Sequence, residues 1–233
     1  RTEEIYKFAV QNYSHNLKNV PEKILTEENL KTSVKKYGKS LKDIPEHLKT
    51  EEICKLAIQN NENAFQYIPE KWKTKEIYIL AVQQNGLNLK FVPEKMITEE
   101  LCKLAVKNNE LAIQYIPQEL RTEEICRLVI HKNGETLQYV PENMKTEEFC
   151  NIAVINNSIA LRYTPENLKT EEICKIALQQ NREVLQYIPE AFRKKVKNSV
   201  KKIKIINIPE DKYQQTFSEI RSFLPEKTLS LKL

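Results

Sequence analysis

The chain has 233 residues and a net charge of +5, from 37 lysine and arginine residues against 32 acidic residues. It contains no apolar run approaching 18 residues, so we expect no transmembrane helix. Its three glycines are too few for a glycine-rich phosphate-binding loop.

A repeat of 24 residues organises most of the chain. Proline recurs at this constant step at positions 21, 45, 69, 93, 117, 141, 165 and 189. Threonine keeps the same step at 2, 26, 50, 74, 98, 122, 146 and 170. A fixed period of this length is typical of stacked repeats, in which each unit contacts mainly its neighbours. We number units 1 to 8 from these threonines, and each threonine is position 1 of its unit.

Every unit begins with the signals of a helix. Threonine caps the first N–H groups, and the acidic residues after it favour the positive end of the helix dipole. Apolar residues then recur at helical spacing for about ten residues, as at Ile125, Leu128 and Val129. We expect the helix to end at an Asn pair or at Asn-Gly in the left-handed conformation, as at Asn133-Gly134.

A second, shorter helix is predicted before each proline. The segment from Leu111 to Ile116 fits about two helical turns, and Pro117 ends it because the residue before a proline is driven out of the helical region. A Pro-Glu-x-Leu link then leads to the next threonine. The sequence therefore predicts an all-α protein, an α-solenoid of about eight 24-residue helix-turn-short-helix repeats with a basic helical C-terminal cap.

The charge distribution predicts two segments. Residues 1–192 form the repeat array and hold 26 basic against 28 acidic residues, whereas residues 193–233 hold 11 against 4 and form a basic capping segment. Within the second segment a helix is expected at about 211–223. The first two units are expected to be more solvated, because Asn29 and Thr32 replace apolar residues and Asn19 and Asp43 replace a tyrosine.

The pattern within one unit resembles that of a known family. Its parts are an acidic pair, Ala-Val in the first helix, an Asn pair and an alanine three residues before a tyrosine. In unit 5 these parts are Glu99-Glu100, Ala105-Val106, Asn108-Asn109 and Ala112-Ile113-Gln114-Tyr115. The chain resembles a family known as a domain of unknown function (number 4116), which is built from 24-residue helical units. The resemblance covers about 190 residues, departs from the family at the proline, and implies a fold but no activity.

Five cysteines, at 54, 102, 126, 150 and 174, all occupy position 5. Packed helices lie about 8–10 Å apart, whereas a disulfide needs Cα atoms closer than about 7 Å. We therefore expect reduced core cysteines and a cytoplasmic location. The opening residues already belong to a repeat, so we expect no secretory signal peptide, and the array can extend before Arg1. The three histidines occupy three different positions of the unit, so we expect no catalytic site, metal site or cofactor.

Two rows of side chains are candidates for recognition. A base recurs at position 6 with a glutamate four residues earlier, a pair that stabilises a helix by about 0.2–0.5 kcal/mol and neutralises the row. Its members are Lys7, Lys31, Lys55, Lys103, Arg127 and Lys175. Aromatic residues recur at position 18, which favours packing between units but also permits stacking on nucleobases. These are Tyr67, Phe91, Tyr115, Tyr139, Tyr163 and Tyr187.

We predict a non-enzymatic scaffold that binds a partner protein along its extended surface, by analogy with other stacked helical repeats. The candidate partner-binding residues are Lys55, Gln59, Asn63, Gln66, Lys90, Lys103, Lys107, Gln114, Arg127, His131, Gln138 and Arg162. The alternative is nucleic-acid binding through the basic C-terminal segment and a basic, aromatic face. Its candidates are Arg193, Lys194, Lys195, Lys197, Lys201, Lys202 and Lys204, in a segment that equally fits a solvated capping helix. No small-molecule substrate is indicated.

Overall fold

The computed structural model describes residues 2–12, 17 and 19–203. These residues contain α1 (Thr2–Asn12), α2 (Glu27–Lys36), α3 (Glu51–Asn60), α4 (Lys75–Gln84), α5 (Glu99–Asn108), α6 (Glu123–Lys132), α7 (Glu147–Asn156), α8 (Glu171–Gln180) and α9 (Glu190–Ile203). Within the same ranges no β-strand occurs. The predicted all-α repeat architecture is confirmed.

Two 3-10 helices follow the α-helix in each of units 2 to 7. The longer has six residues: Gly38–Asp43, Glu62–Tyr67, Gly86–Phe91, Glu110–Tyr115, Gly134–Tyr139, Ser158–Tyr163, and in unit 8 Arg182–Tyr187. The shorter has three residues after the proline: Glu46–Leu48, Glu70–Trp72, Glu94–Met96, Gln118–Leu120, Glu142–Met144 and Glu166–Leu168, with Glu22–Ile24 in unit 1. The predicted short helix is therefore a 3-10 helix, and the Pro-Glu-x-Leu link is itself one helical turn.

The threonines cap the α-helices, as their position predicts. Thr50 Oγ1 accepts a hydrogen bond from the Ile53 N–H at 3.3 Å, and the same bond occurs at Thr26, Thr74, Thr98, Thr146 and Thr170. Such a bond satisfies one of the N–H groups that a helix start leaves without a partner. Thr122 is the exception, since its hydroxyl makes no cap bond.

The asparagine at position 12 joins the two helices in an extended conformation. Asn61 has φ −152° and ψ 110°, and no described residue has a positive φ. Its N–H donates to the Ala57 carbonyl at 2.9 Å and ends α3. Its Oδ1 accepts from the Asn63 N–H at 2.9 Å and begins the 3-10 helix. The predicted left-handed turn is wrong, because an extended asparagine satisfies both helix ends at once.

The core lies between the α-helices and the longer 3-10 helices. Positions 4, 5, 8 and 9 of the α-helix are buried, as shown by the 0% exposure of Ile53, Cys54, Ala57 and Ile58. Position 16 of the 3-10 helix packs from the other side, as Phe65 does at 2% exposure. These layers form one apolar cluster that continues from unit to unit, which is how a stack of short repeats obtains a core.

All five cysteines are free, buried core residues, as predicted. Burial raises the pKa of each thiol to about 11. The thiolate is the reactive form of cysteine. These side chains therefore remain protonated and unreactive in the folded protein.

Side chains bond each unit to the next through backbone carbonyl groups. At position 11, Asn108 Nδ2 donates to the Gln83 carbonyl, near the end of the preceding α-helix, at 2.8 Å. At position 24, Arg121 donates through a guanidinium nitrogen to the Tyr139 carbonyl in the following unit at 2.7 Å. These bonds satisfy helix-end carbonyls that would otherwise lack a partner.

Glycine stands where the 3-10 helix of one unit meets the α-helix of the next. A Cβ atom on Gly86 would lie 2.1 Å from the Ala105 carbonyl oxygen, and one on Gly134 would lie 2.0 Å from that of Ala153. Only glycine permits so close an approach of two backbones. Glycine occupies position 13 in units 2, 4 and 6, whereas units 3, 5 and 7 carry a side chain there. Two kinds of junction therefore alternate along the array.

At a junction without glycine, a buried amide links the two units. Asn88 is 7% exposed, and its Nδ2 donates to the Glu62 carbonyl at 3.2 Å and to the Ala81 carbonyl at 3.0 Å. One side chain thus satisfies a carbonyl group in each of units 3 and 4.

Two of the polar replacements, Asn29 and Asp43 in unit 2, are buried, whereas Asn19 in unit 1 and Thr32 in unit 2 are exposed. Asn29 is 8% exposed, and its Nδ2 donates to the Ile24 carbonyl at 2.9 Å, while Asp43 is 9% exposed. The expected solvation is found at Asn19 and Thr32 and is wrong at Asn29 and Asp43. At Asn29 the hydrogen bond lets a polar side chain occupy a buried site. In unit 1, by contrast, Ile5 is 66% exposed.

The last described helix, α9, follows Pro189 directly and crosses the predicted boundary at residue 192. Phe192 packs against the core, and Val196 is fully buried. The predicted helix at 211–223 lies outside the described residues, and the division into two segments stays a prediction. Among the helices described, none combines the length and apolarity needed to cross a membrane.

Candidate interaction surface

The α-helices expose one continuous face on the side away from the 3-10 helices. We call it the outer face and define it by positions 3, 6, 7 and 10 of units 3 to 8. In unit 3 these are Glu52, Lys55, Leu56 and Gln59. Position 7 is a half-buried leucine or isoleucine in all six units: Leu56, Leu80, Leu104, Leu128, Ile152 and Ile176. An apolar row therefore runs along the outer face beside charged and polar side chains.

Position 6 carries the ion pairs that the sequence predicted. Lys55 Nζ lies 2.7 Å from a carboxylate oxygen of Glu51, and Lys103 Nζ lies 3.0 Å from one of Glu99. The same pairing within one helix occurs in α1, α2, α6 and α8. The prediction that glutamates neutralise this row is confirmed.

The same bases also bridge neighbouring helices, which was not predicted. Lys103 Nζ lies 2.7 Å from Glu124, and Arg127 lies 2.5 Å from Glu148. Lys31 pairs with Glu52 in the same way. Each bridge uses the glutamate at position 3 of the next unit, and that glutamate recurs in all eight units. The regular recurrence of this glutamate was the only feature of the sequence that indicated ion pairs between neighbouring helices.

Of the six junctions from α2 to α8, three carry this bridge, whereas no described ion pair spans α3/α4, α4/α5 or α7/α8. At the junction between α4 and α5, both residues that would form the ion pairs of this row are replaced. Position 6 is Ile79, and position 2, a glutamate in the other seven units, is Lys75. A groove of about 340 Å³ lies at this junction, and we call it the α4/α5 groove. Its apolar lining consists of Tyr78, Ile79, Val92, Met96, Leu101 and Leu104.

The groove has one cation and one carboxylate at its rim. Lys75 is exposed and forms no ion pair with a described residue. Glu100 is engaged at the start of its own helix: hydrogen bonds from its own backbone N–H and from the Thr98 hydroxyl lower its pKa. The groove therefore combines an apolar floor with a lysine that is available to a carboxylate.

Neither Lys75 nor Ile79 was among the sequence-predicted site residues. Lys75 occupies a position that is otherwise acidic, and Ile79 occupies one that is basic in six of the eight units. Those two exceptions were the available signal. The groove that results could not be predicted, since nothing in the sequence shows that the side chain at position 6 reaches the next α-helix.

The glutamines predicted at position 17 lie on the 3-10 side, away from the outer face. Gln66, Gln114 and Gln138 are exposed, and each Nε2 donates to the carbonyl three residues earlier at 3.0–3.1 Å. These bonds give the three side chains a local structural role. Asn63 is exposed near this side and supplies its backbone N–H to the helix cap described above.

The two bases predicted at position 17 lie over aromatic rings. Lys90 Nζ is 4.8 Å from the Phe91 ring centroid, and the Arg162 guanidinium is 5.7 Å from that of Tyr163 and 6.0 Å from that of Tyr187. The tyrosines of position 18 are half-buried against the core, which supports their packing role. Phe91 is 40% exposed.

The predicted residues of position 10 are exposed on the outer face. Gln59, Lys107 and His131 are all exposed and vary in charge from unit to unit. Partial desolvation, with the positive charge of Arg127, lowers the pKa of His131. The structure thus brings together the candidates of positions 6 and 10 and separates them from those of position 17.

The basic candidates lie on or beyond α9. Arg193 is tied to the array, because its Nε donates to the Ile188 carbonyl at 2.9 Å. Lys195 lies 3.8 Å from a carboxylate oxygen of Glu171. Lys194 and Lys197 are exposed and make no ion pair with a described residue. Lys204 lies outside the described residues, as do the side chains of Lys201 and Lys202.

The described part of the chain contains no group of three or more His, Cys, Asp or Glu side chains arranged to hold a metal ion. The family model for a domain of unknown function, DUF4116, matches residues 50–97, 98–145 and 146–193, which together make more than half of the chain. Each matched segment spans two 24-residue units, and the first two segments each contain one glycine junction, at Gly86 and Gly134. Comparisons with curated proteins and with solved structures gave no match.

Proposed function

Because the chain belongs to the DUF4116 family, a family without an assigned activity, we propose its function from its surface: a non-enzymatic scaffold that binds a partner protein on its outer face. Stacked helical repeats provide extended surfaces of this kind. The α4/α5 groove is the observation that carries this proposal, and it marks where the partner is anchored.

The outer face has the composition of a protein-binding surface. Its half-buried apolar row lies beside exposed polar residues, and apolar surface rimmed by polar residues is typical of interaction sites. At three junctions a bridging ion pair covers the gap between helices. At the α4/α5 groove the gap is left open and apolar. The floor of this groove includes the buried core residues Tyr78, Val92 and Leu101, whereas Lys75 is exposed and Ile79 is half-buried.

The groove can be closed by restoring the residues found in other units. In the variant Lys75→Glu/Ile79→Arg, position 6 regains a base. That base can reach both the carboxylate introduced at position 2 of its own helix and the acceptor at Glu100, as Arg127 reaches Glu123 and Glu148. The variant removes the apolar opening without touching a cap, a glycine or a core residue. A matched control is Glu123→Gln, which alters the same row at a closed junction.

Capture from an extract of the source cells tests the proposal. The tagged wild-type chain is expected to retain a protein whose recovery is unaffected by nuclease. Recovery with the closed-groove variant should fall about tenfold or more, corresponding to a loss of about 1.4 kcal/mol or more. Equal capture by the two chains would contradict a role for the groove, and a nuclease-sensitive ligand would favour the second candidate.

That second candidate is nucleic-acid binding through α9. The observation that favours it is the exposure of Lys194 and Lys197 outside any ion pair with a described residue. Phosphate contacts by such lysines give an affinity that falls steeply as salt is raised.

Charge reversal separates the two candidates. We would change Lys194, Lys195, Lys201 and Lys202 to glutamate and compare that variant with a matched reversal of Lys23, Lys35, Lys39 and Lys95, which are exposed elsewhere. Salt-dependent binding of RNA or DNA that is lost only in the first variant would support the second candidate. The absence of binding at low salt would remove it.

A further inference from the structure

The α4/α5 groove contains a hydroxyl group that the fold itself does not use. Tyr78 lines the groove and is 7% exposed, and its hydroxyl forms no hydrogen bond with any residue that the structure describes. Buried polar groups normally have such a partner. Position 5 carries a cysteine in five of the other seven units, so a hydroxyl here is an exception. The hydroxyl of Tyr78 is therefore available to an acceptor on a bound molecule.

Tyr78 shares one face of α4 with Lys75 and Ile79. Residues three and four apart in a helix are neighbours, and all three side chains line the groove. Lys75 is exposed and pairs with no carboxylate among the described residues. A lysine ammonium and a tyrosine hydroxyl both donate hydrogen bonds, and one carboxylate can accept from both. The α4 side of the groove therefore favours a carboxylate.

The α5 side of the groove disfavours a second carboxylate. Glu100 lies on this side, and hydrogen bonds from its own backbone N–H and from the Thr98 hydroxyl lower its pKa. Glu100 is therefore ionised at neutral pH and repels another negative charge. Leu101 and Leu104 make the rest of this side apolar. A bound segment must consequently place its carboxylate beside Lys75 and its apolar side chains towards α5.

The groove has the size and the setting for side chains of a docked helix. Its volume is about 340 Å³, and it lies between two neighbouring α-helices. Amphipathic helices dock in apolar grooves through side chains at i, i+3 and i+4. We infer that the α4/α5 groove binds a helix of the partner protein that carries one aspartate or glutamate beside two large apolar residues. The carboxylate accepts from Lys75 and Tyr78, and the apolar residues cover Ile79 and Leu104. This inference rests on the proposed function, which anchors the partner at the same groove.

A displayed library of helical peptides with randomised residues on one face tests this inference on the full chain. Peptides retained by the wild type are expected to combine one acidic residue with apolar residues one turn away. On Lys75→Glu the preference should reverse, so that lysine or arginine replaces the acid. The control Lys35→Glu reverses a base that is exposed in unit 2 and should leave the preference for the acid unchanged. Retained peptides without a preference for an acid, or the same peptides on Lys75→Glu, would overturn the inference.

A second measurement isolates the hydroxyl. Tyr78→Phe keeps the buried ring, and it should weaken the binding of a selected acidic peptide by about tenfold or more, because a hydrogen bond to a charged group is lost. Fluorescence anisotropy measures the affinity. Tyr6→Phe, at the same position of unit 1, should bind like the wild type. Equal affinity of the wild type and Tyr78→Phe for the acidic peptide would overturn the placement of the carboxylate.

The outcome can be told apart from failure of the proposed function. A partner captured from the extract by the wild type and lost from the closed-groove variant would support the proposed function by itself. If the library then showed no preference for an acid, this inference alone would be overturned.

Discussion

The junctions between units 4 and 5 and between units 6 and 7 are alike on the 3-10 side and different on the outer face. In both, a glycine meets a carbonyl oxygen of the next α-helix, at Gly86 and Gly134. On the outer face, Arg127 bridges to Glu148 and lies 5.0 Å from the Phe149 ring centroid. Ile79 makes no such bridge, and the α4/α5 groove remains open.

This pair of junctions separates the residues that build the array from those that shape its surface. The glycine contact is shared by the two junctions, whereas the cap bond of Thr74 in unit 4 has no counterpart at Thr122 in unit 6. On the outer face the two junctions differ at positions 2 and 6, which are Lys75 and Ile79 at the open junction and Glu123 and Arg127 at the closed one. A repeat protein can therefore change its surface locally while the glycine contact between units is kept.

The largest effect on stability is expected from disrupting the close glycine contact that the two junctions share. Gly86→Ala and Gly134→Ala should each lower the free energy of unfolding by about 2–3 kcal/mol, because the new Cβ forces two backbones apart. Urea denaturation measures this loss. The control is Glu62→Ala at the same position of unit 3, where an exposed side chain is removed and the change should stay within about 0.5 kcal/mol. Equal effects at the three sites would refute the close approach.

A smaller loss is expected at a junction that has no glycine. Asn88→Ala leaves two carbonyl groups without their donor and should cost about 1–3 kcal/mol. Thermal unfolding of this variant is compared with that of Asn63→Ala, whose side chain is exposed and whose loss affects neither carbonyl. A loss of stability in Asn88→Ala alone would show that a buried amide stabilises the junction between units 3 and 4, as the close backbone contact stabilises that between units 4 and 5.

Exchanging the outer-face residues of the two junctions should change the surface more than the stability. Lys75→Glu/Ile79→Arg should reduce the binding of a hydrophobic fluorescent dye, and Glu123→Lys/Arg127→Ile should increase it. The free energy of unfolding should shift by about 1 kcal/mol or less, because partly exposed ion pairs contribute little. If dye binding does not respond in opposite directions, positions 2 and 6 do not control the opening.

The smallest effect is a pH dependence at the closed junction. The hydrogen bond from Arg127 lowers the pKa of Glu148 from its ordinary value of 4.5. The folded state thus holds this carboxylate more acidic than the unfolded state, so the pair stabilises above that ordinary pKa and loses its contribution as the pH falls below it. Since both side chains are partly exposed, the contribution should be below about 0.5 kcal/mol.

Unfolding curves at pH 3 to 7 should show this contribution as a slightly weaker dependence of the unfolding free energy on acid pH in Arg127→Ala. Lys55→Ala is the control, because Lys55 pairs only with Glu51 in its own helix among the described ion pairs. A pH dependence weakened equally by both variants would show that the bridge between helices adds nothing.

The repeat period, the helix starts and the ion pairs within helices could be predicted from the sequence because each depends on residues close together in the chain. Thr50 caps its own helix, and Lys55 pairs with a glutamate one turn away. The bonds across units could not, since Arg121 and Asn108 find carbonyl groups that only the fold brings near.

The conformation of Asn61 illustrates a second limit. Asparagine tolerates both the left-handed and the extended conformation, and the prediction took the first. The choice is made by the immediate start of a 3-10 helix, whose N–H the Asn61 side chain caps. The groove was not predicted for a similar reason. The importance of Ile79 becomes clear only once the structure shows that a base at the same position bridges two helices in other units.

The central claim is that the partner binds where the outer face is open, and site-specific photo-cross-linking tests it most directly. The cross-linker would replace Gln83 at the open junction or His131 at the closed one, both of which are exposed at position 10. We predict one protein adduct from Gln83, none from His131, and loss of the adduct in Lys75→Glu/Ile79→Arg. Equal adducts at both sites, or an adduct unaffected by closing the groove, would contradict the claim.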